Sequence, residues 1–138
     1  FSVLTTGEQD IAAVGEQVAR YCLAPKLASA RSFGIPVLAL DDDREETLRM
    51  VVEVAEQAVR EDGAHVLIPG CTGLAGLAGR IQAGLAGRNC EVPVLDPPSV
   101  ALKLAESLVD LGQAHSRRTY PAPPSKEIRW PAPGAFGV

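Results

Sequence analysis

The sequence predicts an α/β fold: an open parallel sheet flanked by helices over residues 1–112, with an extended Pro-rich C-terminal tail over residues 113–138. Three observations predict it. Short apolar runs alternate with segments whose apolar residues recur at helical spacing. The runs lack the polar alternation of a half-exposed strand, which suits strands covered on both faces of a parallel sheet. Finally, 138 residues, 46% of them hydrophobic, suffice to bury one substantial core.

The elements follow in order. Phe1 to Thr6 reads as the first strand, and Ile11, Val14, Val18 and Tyr21 mark the first helix. Leu27 to Ser32 and Ile35 to Leu40 are short runs broken by Gly34 and Pro36, each a strand or an irregular connection. Asp43 caps the next helix with Glu46 three residues on. Leu48, Val51, Val52, Ala55, Ala58 and Val59 form its apolar face before Gly63 stops it. Val66 to Pro69 reads as a buried strand, Thr72 to Gly87 as a glycine-laden helix, and Val92 to Leu95 as a further strand. Asp96 caps a last helix, with Pro97 at its first position and Gly112 as its stop. Beyond it the character changes, for five of the eleven prolines lie between Pro121 and Pro133 and Arg117, Arg118, Lys126 and Arg129 outnumber Glu127. Such a tail forms no core of its own. It is either a disordered end or an arm that wraps a neighbouring domain or subunit, with Tyr120 and Trp130 as anchors.

Composition excludes several classes of function. A net charge of −4 and 4% aromatic residues supply neither a basic phosphate-binding surface nor stacking platforms, so no nucleic-acid partner is expected. No apolar run approaches the roughly 18 to 20 residues that cross a bilayer, and the N-terminus lacks the layout of a signal peptide. The expectation is therefore no membrane partner and a cytoplasmic location. The chain opens without Met, directly in a strand-like run, which suggests that the sequence begins inside a larger protein. Cys22, Cys71 and Cys90 form neither a close metal-binding spacing nor a disulfide framework, which predicts reduced thiols and no metal. The repeated GLAG at 73–76 and 84–87 lacks the Lys and Ser/Thr of a nucleotide P-loop and reads as closely packed helix.

Sheet geometry sorts the cysteines. In an open parallel sheet the ligand crevice lies beyond the carboxyl ends of the strands. Cys71 follows its strand directly and belongs at that edge, whereas Cys22 and Cys90 belong near the opposite one. Thr5 and Thr6 end the first strand, and Asp96 ends the last, so the crevice gains hydroxyls and a carboxylate if those strands neighbour Cys71. A thiol at a helix N-terminus meets free N–H groups and the positive end of the helix dipole, which favour thiolate. Gly70 and Gly73 allow close backbone approach, and the N–H groups of Thr72 and Gly73 can receive a developing negative oxygen. That suits proton abstraction beside a carbonyl. A nucleophilic thiol usually recruits a histidine, but His65 belongs at the wrong edge and His115 lies in the tail. The residues alone leave open a packed, inert Cys71, since free cysteine is commonly buried as a small apolar residue.

Four segments, in order, resemble a known family: FSVLTT at 1–6, VLIPGCTGL at 66–74, VPVLDPPSVALKLAESLVDLG at 92–112 and HSRRTYPAPPSKEI at 115–128. They look like the second half of hydantoin and allantoin racemases, of the aspartate/glutamate racemase superfamily. The resemblance implies a cofactor-independent, two-cysteine racemisation of a small-molecule substrate between two similar α/β lobes. One thiolate removes the proton beside the carbonyl, and a thiol on the opposite face returns one. On that resemblance Cys71 is the second-lobe catalytic cysteine, while Thr5, Thr6, Thr72 and Gly73 bind substrate. The family's first lobe, with the other cysteine, has no counterpart in these residues. The expected partners are thus a first lobe outside this chain, or further copies of it held by the basic tail. Two alternatives stand beside this reading: a one-cysteine decarboxylase or isomerase of the same superfamily, and a non-catalytic α/β binding or assembly module.

Overall fold

Four consecutive buried residues, Ser2–Thr5, form β1, and a strand buried on both faces needs neighbours on both sides. The computed structural model, which describes residues 1–125, supplies them. β2 (Ser29–Ser32) pairs on one side of β1 and β3 (Leu67–Pro69) on the other, all parallel, with Ser2 level with both Ser29 and Leu67. The buried Ser2 hydroxyl meets the Ser29 hydroxyl at 2.8 Å, so its burial leaves no orphaned polar group.

Helices cover the two faces. α1 (Asp10–Arg20) turns Val14 and Val18 toward the face that carries Val3 and Ile68. α2 (Arg44–Arg60) and α3 (Ala78–Ala86) cover the other face, where Leu4 and Leu67 join Val51, Val52, Ala55, Ile81 and Leu85 in the core. α2 begins as its sequence requires: the Asp43 carboxylate accepts the N–H groups of Glu45 at 3.1 Å and Glu46 at 2.9 Å. The reciprocal half of a capping box is not made, because the Glu46 carboxylate is held by Arg49. Gly63, at φ +71°, ends the segment. Gly84 in the second GLAG faces Val52 so closely that a Cβ would lie 2.9 Å from its Cγ2, which is why that repeat is packed helix. At the edge of the sheet Arg31 grips Asp62 through Nε at 2.6 Å and Nη2 at 2.8 Å, and this pair holds the Asp62 carboxyl down to about 2.

Several expectations are corrected. Ile35 to Leu40 contains no strand: Gly34 adopts φ +72°, Pro36 has no N–H to offer a ladder, and Val37–Ala39 forms a single 3-10 turn. Helix does not run from Thr72 to Gly87. Thr72–Leu74 is one 3-10 turn, Gly76 at φ +79° breaks the path, and α3 starts only at Ala78. The strand at Val92 to Leu95 shrinks to one parallel bridge, Leu67 with Val94. Its outward amide is taken instead by the Gln82 side chain at 3.0 Å. Tyr21, placed on the apolar face of α1, stands 63% exposed just beyond that helix.

The chain divides into two compact units, Phe1–Glu106 and Ser107 onward. α4 (Pro97–Asp110) forms where its caps predict, with Gly112 at φ +64° after it. Its apolar residues Val100, Leu104 and Leu108 are exposed. In the second unit a turn is closed by the Tyr120 N–H on the Ser116 carbonyl at 2.9 Å. Tyr120, exposed, stacks edge to face on His115 with centroids 5.5 Å apart. Trp130, the other expected anchor, lies outside the described residues.

Candidate active site

β1 connects to β2 on one side, and β3 adds on the other, so the sheet changes direction between β1 and β3. At the carboxyl ends of two such strands the connections leave to opposite sides and open a crevice. Gly70 carries the parallel ladder one step past the strands, its N–H donating to the Leu4 carbonyl at 2.8 Å. A Cβ at Gly70 would sit 2.9 Å from Val3 Cγ1 and 3.0 Å from the Leu4 oxygen, so only glycine permits this approach. Because Leu4 is level with Pro69, continuing the register brings Thr6 level with Cys71.

Cys71 has extended backbone, φ −122° and ψ 132°, and the chain then bends into the turn Thr72–Leu74. The turn is closed by the Leu74 N–H on the Cys71 carbonyl and the Ala75 N–H on the Thr72 carbonyl, both at 3.0 Å. The N–H groups of Thr72 and Gly73 come first and have no acceptor within the turn. The Cys71 sulfur lies over Gly73: a Cβ there would be 3.5 Å from Sγ, and 2.6 Å from Cδ1 of the buried Leu40. The α-helical N-terminus expected at Cys71 is replaced by this 3-10 turn, and α3 begins seven residues later, at Ala78. What the turn retains is the pair of leading amides.

Cys71 is half-buried at one end of a cavity of about 460 Å³ that runs along the α1 face of the sheet. Val3, Val14, Val18 and Ile68 give it apolar walls, while Thr72 and Pro97 stand with Cys71 at the carboxyl-edge end. The predicted residues therefore separate. Cys71, Thr72 and Gly73 come together. Thr5 and Thr6 reach the same edge, but their hydroxyls are engaged by their own turn and by β2: Thr5 donates to the carbonyls of Gly7 at 3.2 Å and of Arg31 in β2 at 3.3 Å, and Thr6 donates to Asp10 Oδ2 at 3.2 Å. Thr6 lines a separate cavity of about 410 Å³ with Ser32 and Gly34.

The last expected contributor, Asp96, is not free in the crevice. One carboxylate oxygen accepts the Gly76 N–H at 3.3 Å and the other the Ser99 hydroxyl. The Ser99 hydroxyl, with the backbone N–H groups of Gly76 and Ser99, holds its carboxyl below the usual carboxylate range. Leu40 beneath Gly73 and the bond from Asp96 to Gly76 were not legible beforehand. Both join segments 20 or more residues apart, and no local spacing signals them. The other cysteines lie as the edge argument requires: Cys22 is exposed beyond the far end of α1, and Cys90 is buried ahead of the Val94 bridge. His65 is exposed just before β3.

A family model described as Asp/Glu/Hydantoin racemase matches residues 1–105. This chain belongs to that racemase family. Among curated relatives, the hydantoin racemase of Rhizobium meliloti is 34% identical over 124 residues, which are 89% of this chain and 49% of that protein. The hydantoin racemase of Paenarthrobacter aurescens is 36% identical over 74% of this chain and 42% of its own length. The crystal structure of allantoin racemase from Pseudomonas fluorescens superposes with a TM-score of 0.76 at 36% identity, covering 94% of this chain and 54% of that one. Allantoin racemase from Klebsiella pneumoniae superposes at 0.78 with 32% identity, over 96% and 52%. The parallel three-stranded sheet with its helices is thus the racemase-family fold, and the chain spans about half the length of the relatives it matches.

Proposed function

We propose that this chain is the cysteine-bearing lobe of a hydantoin- or allantoin-type racemase, and that Cys71 exchanges the proton on the carbon beside the substrate carbonyl. The Cys71 thiolate takes that proton and becomes a thiol, and the electron pair moves onto the carbonyl oxygen as an enolate. The leading N–H groups of Thr72 and Gly73 are the donors for that oxygen. Reprotonation from the same sulfur returns the original hand. Inversion needs a second acid on the opposite face, and Cys22 and Cys90, away from the crevice, do not provide it. That acid is assigned to a first lobe, which makes this chain by itself an exchange catalyst rather than a racemase. No cofactor enters the scheme.

The single observation that carries the reading is a half-buried thiol at the crevice between β1 and β3, followed by two amides without acceptors in their turn. The test is deuterium incorporation at C5 of a chiral 5-substituted hydantoin and of allantoin in D₂O, followed together with optical rotation. The expected result is incorporation above the buffer rate with rotation retained, lost in Cys71→Ser. Incorporation undiminished in Cys71→Ser overturns the role of Cys71, and rapid loss of rotation with this chain alone overturns the need for a second lobe.

A further inference from the structure

We propose that Asp96 is a positioning residue for Cys71: its carboxylate ties the end of the cysteine-bearing turn to the first turn of α4. The proposal rests on the reading of Cys71 given above, and it extends to a residue that touches neither the thiol nor the reacting atoms. The turn has two ends. At its start, Gly70 is fixed to β1 by the 2.8 Å bond to the Leu4 carbonyl. Its far end is Gly76, whose φ of +79° is a conformation glycine enters and leaves easily. Buried Leu74 and Leu77 hold the chain on either side of Gly76, and the 3-10 turn between Cys71 and Gly76 adds only short local carbonyl contacts. The Asp96 carboxylate adds a tie on the Gly76 backbone itself: Oδ1 accepts the Gly76 N–H at 3.3 Å while Oδ2 accepts the Ser99 hydroxyl. The Asp96 carbonyl also accepts the Val100 N–H at 3.0 Å, so the same residue opens α4.

The consequence reaches the site through geometry. Pro97, next to Asp96, lines the cavity mouth with Cys71, so one side chain fixes both the sulfur's turn and the wall facing it. A carboxylate suits this task because it accepts on both oxygens and asks for no donor in return. Held in this way, the carboxylate is a brace rather than a free base in the crevice.

Competitive alkylation of the folded chain with iodoacetamide, read cysteine by cysteine by mass spectrometry, tests this without reliance on turnover. Cys22 is exposed and serves as the internal reference; Cys90 is buried and reports whether the fold persists. In Asp96→Ala, and in Asp96→Ser, which keeps a helix cap but cannot reach Gly76, Cys71 is expected to react at least threefold faster relative to Cys22 while Cys90 stays protected. Asp96→Asn, whose amide oxygen still accepts from Gly76, is expected to stay within about 1.5-fold of the parent. Amide exchange at Gly76 is expected to follow the same order. An unchanged Cys71 to Cys22 ratio in Asp96→Ser with Cys90 protected overturns the proposal, and so does Asp96→Asn behaving like Asp96→Ser. If Asp96→Ala exposes Cys90, Asp96→Ser and Asp96→Asn decide. Deuterium incorporation at C5 is the functional arm: turnover falls in Asp96→Ser with little change in KM and recovers in Asp96→Asn. A parent chain without incorporation refutes the role of Cys71 and leaves the alkylation result to judge Asp96.

Discussion

Replacing Gly70 by alanine attacks the point where the Cys71 turn leaves the sheet. The added Cβ meets two atoms, Val3 Cγ1 at 2.9 Å and the Leu4 oxygen at 3.0 Å. They do not resist equally. Val3 lines the cavity and its methyl can rotate into open space at the cost of a rotamer. The Leu4 oxygen belongs to the central strand, flanked by β2 and β3, and it accepts the Gly70 N–H itself. Relief of that contact stretches the 2.8 Å bond and moves the turn by a few tenths of an ångström. Overpacking of this kind costs about 1–2 kcal/mol, near the low end of its range because one of the two neighbours yields. For a chain of 138 residues that is a fall of roughly 3–7 °C in Tm. Gly15, in the middle of α1, is the control: nothing lies within 4 Å of its Cβ direction, so Gly15→Ala should add about 0.5–1 kcal/mol through helix propensity alone. Thermal unfolding followed by circular dichroism measures both. A Gly70→Ala midpoint at or above the parent's refutes the claim that this glycine is required by close approach.

The remaining predictions concern charge and capping. Asp62, held by Arg31 at about 2 against an ordinary 3.8, contributes stability that is fully present above about pH 4 and is lost as pH falls toward 2. Asp62→Asn should therefore cost about 1–2 kcal/mol at pH 7, with the difference mostly gone by pH 2 in urea unfolding; a constant difference across that range removes the ion pair as its cause. Asp43→Ala should cost about 1 kcal/mol by loss of the two N–H bonds at the start of α2, whereas Asp43→Ser should recover most of it. Equal losses in both would mean that the cap does not set the effect.

The safe parts of the sequence were those in which independent local signals agreed. α2 has a capping aspartate, an apolar face and a terminal glycine, and it forms within a residue or two of that pattern. β1, buried throughout, and β3, apolar without alternation, sit in the middle of the sheet and beside it. The stretch after Cys71 departs from its spacing because TGLAGLAG supports helix locally, while the tertiary structure buries Leu74 and Leu77 around a broken path through Gly76. Periodicity cannot tell one buried face of a helix from two buried leucines on a bend. For the same reason the position of Cys71 at the crevice was legible and its immediate electrostatics were not: the first follows from strand order, the second from where α3 begins. The threonines show a further limit, since a hydroxyl's residue type says nothing about whether its own turn will claim it.

The outward amide of Val94 has a consequence for how the protein behaves in company. An unpaired row of N–H and C=O groups at the border of a sheet is a template on which another chain can add a strand. Here Pro93 and Leu95 face Leu67, whose N–H and carbonyl they bind at 3.0 and 2.9 Å, and the outward Val94 N–H is spent on the Gln82 carbonyl oxygen at 3.0 Å. A passing strand would find the donor at the end of the Leu67 and Val94 ladder already taken. A single glutamine side chain thus closes the one donor that the Val94 bridge turns away from the sheet.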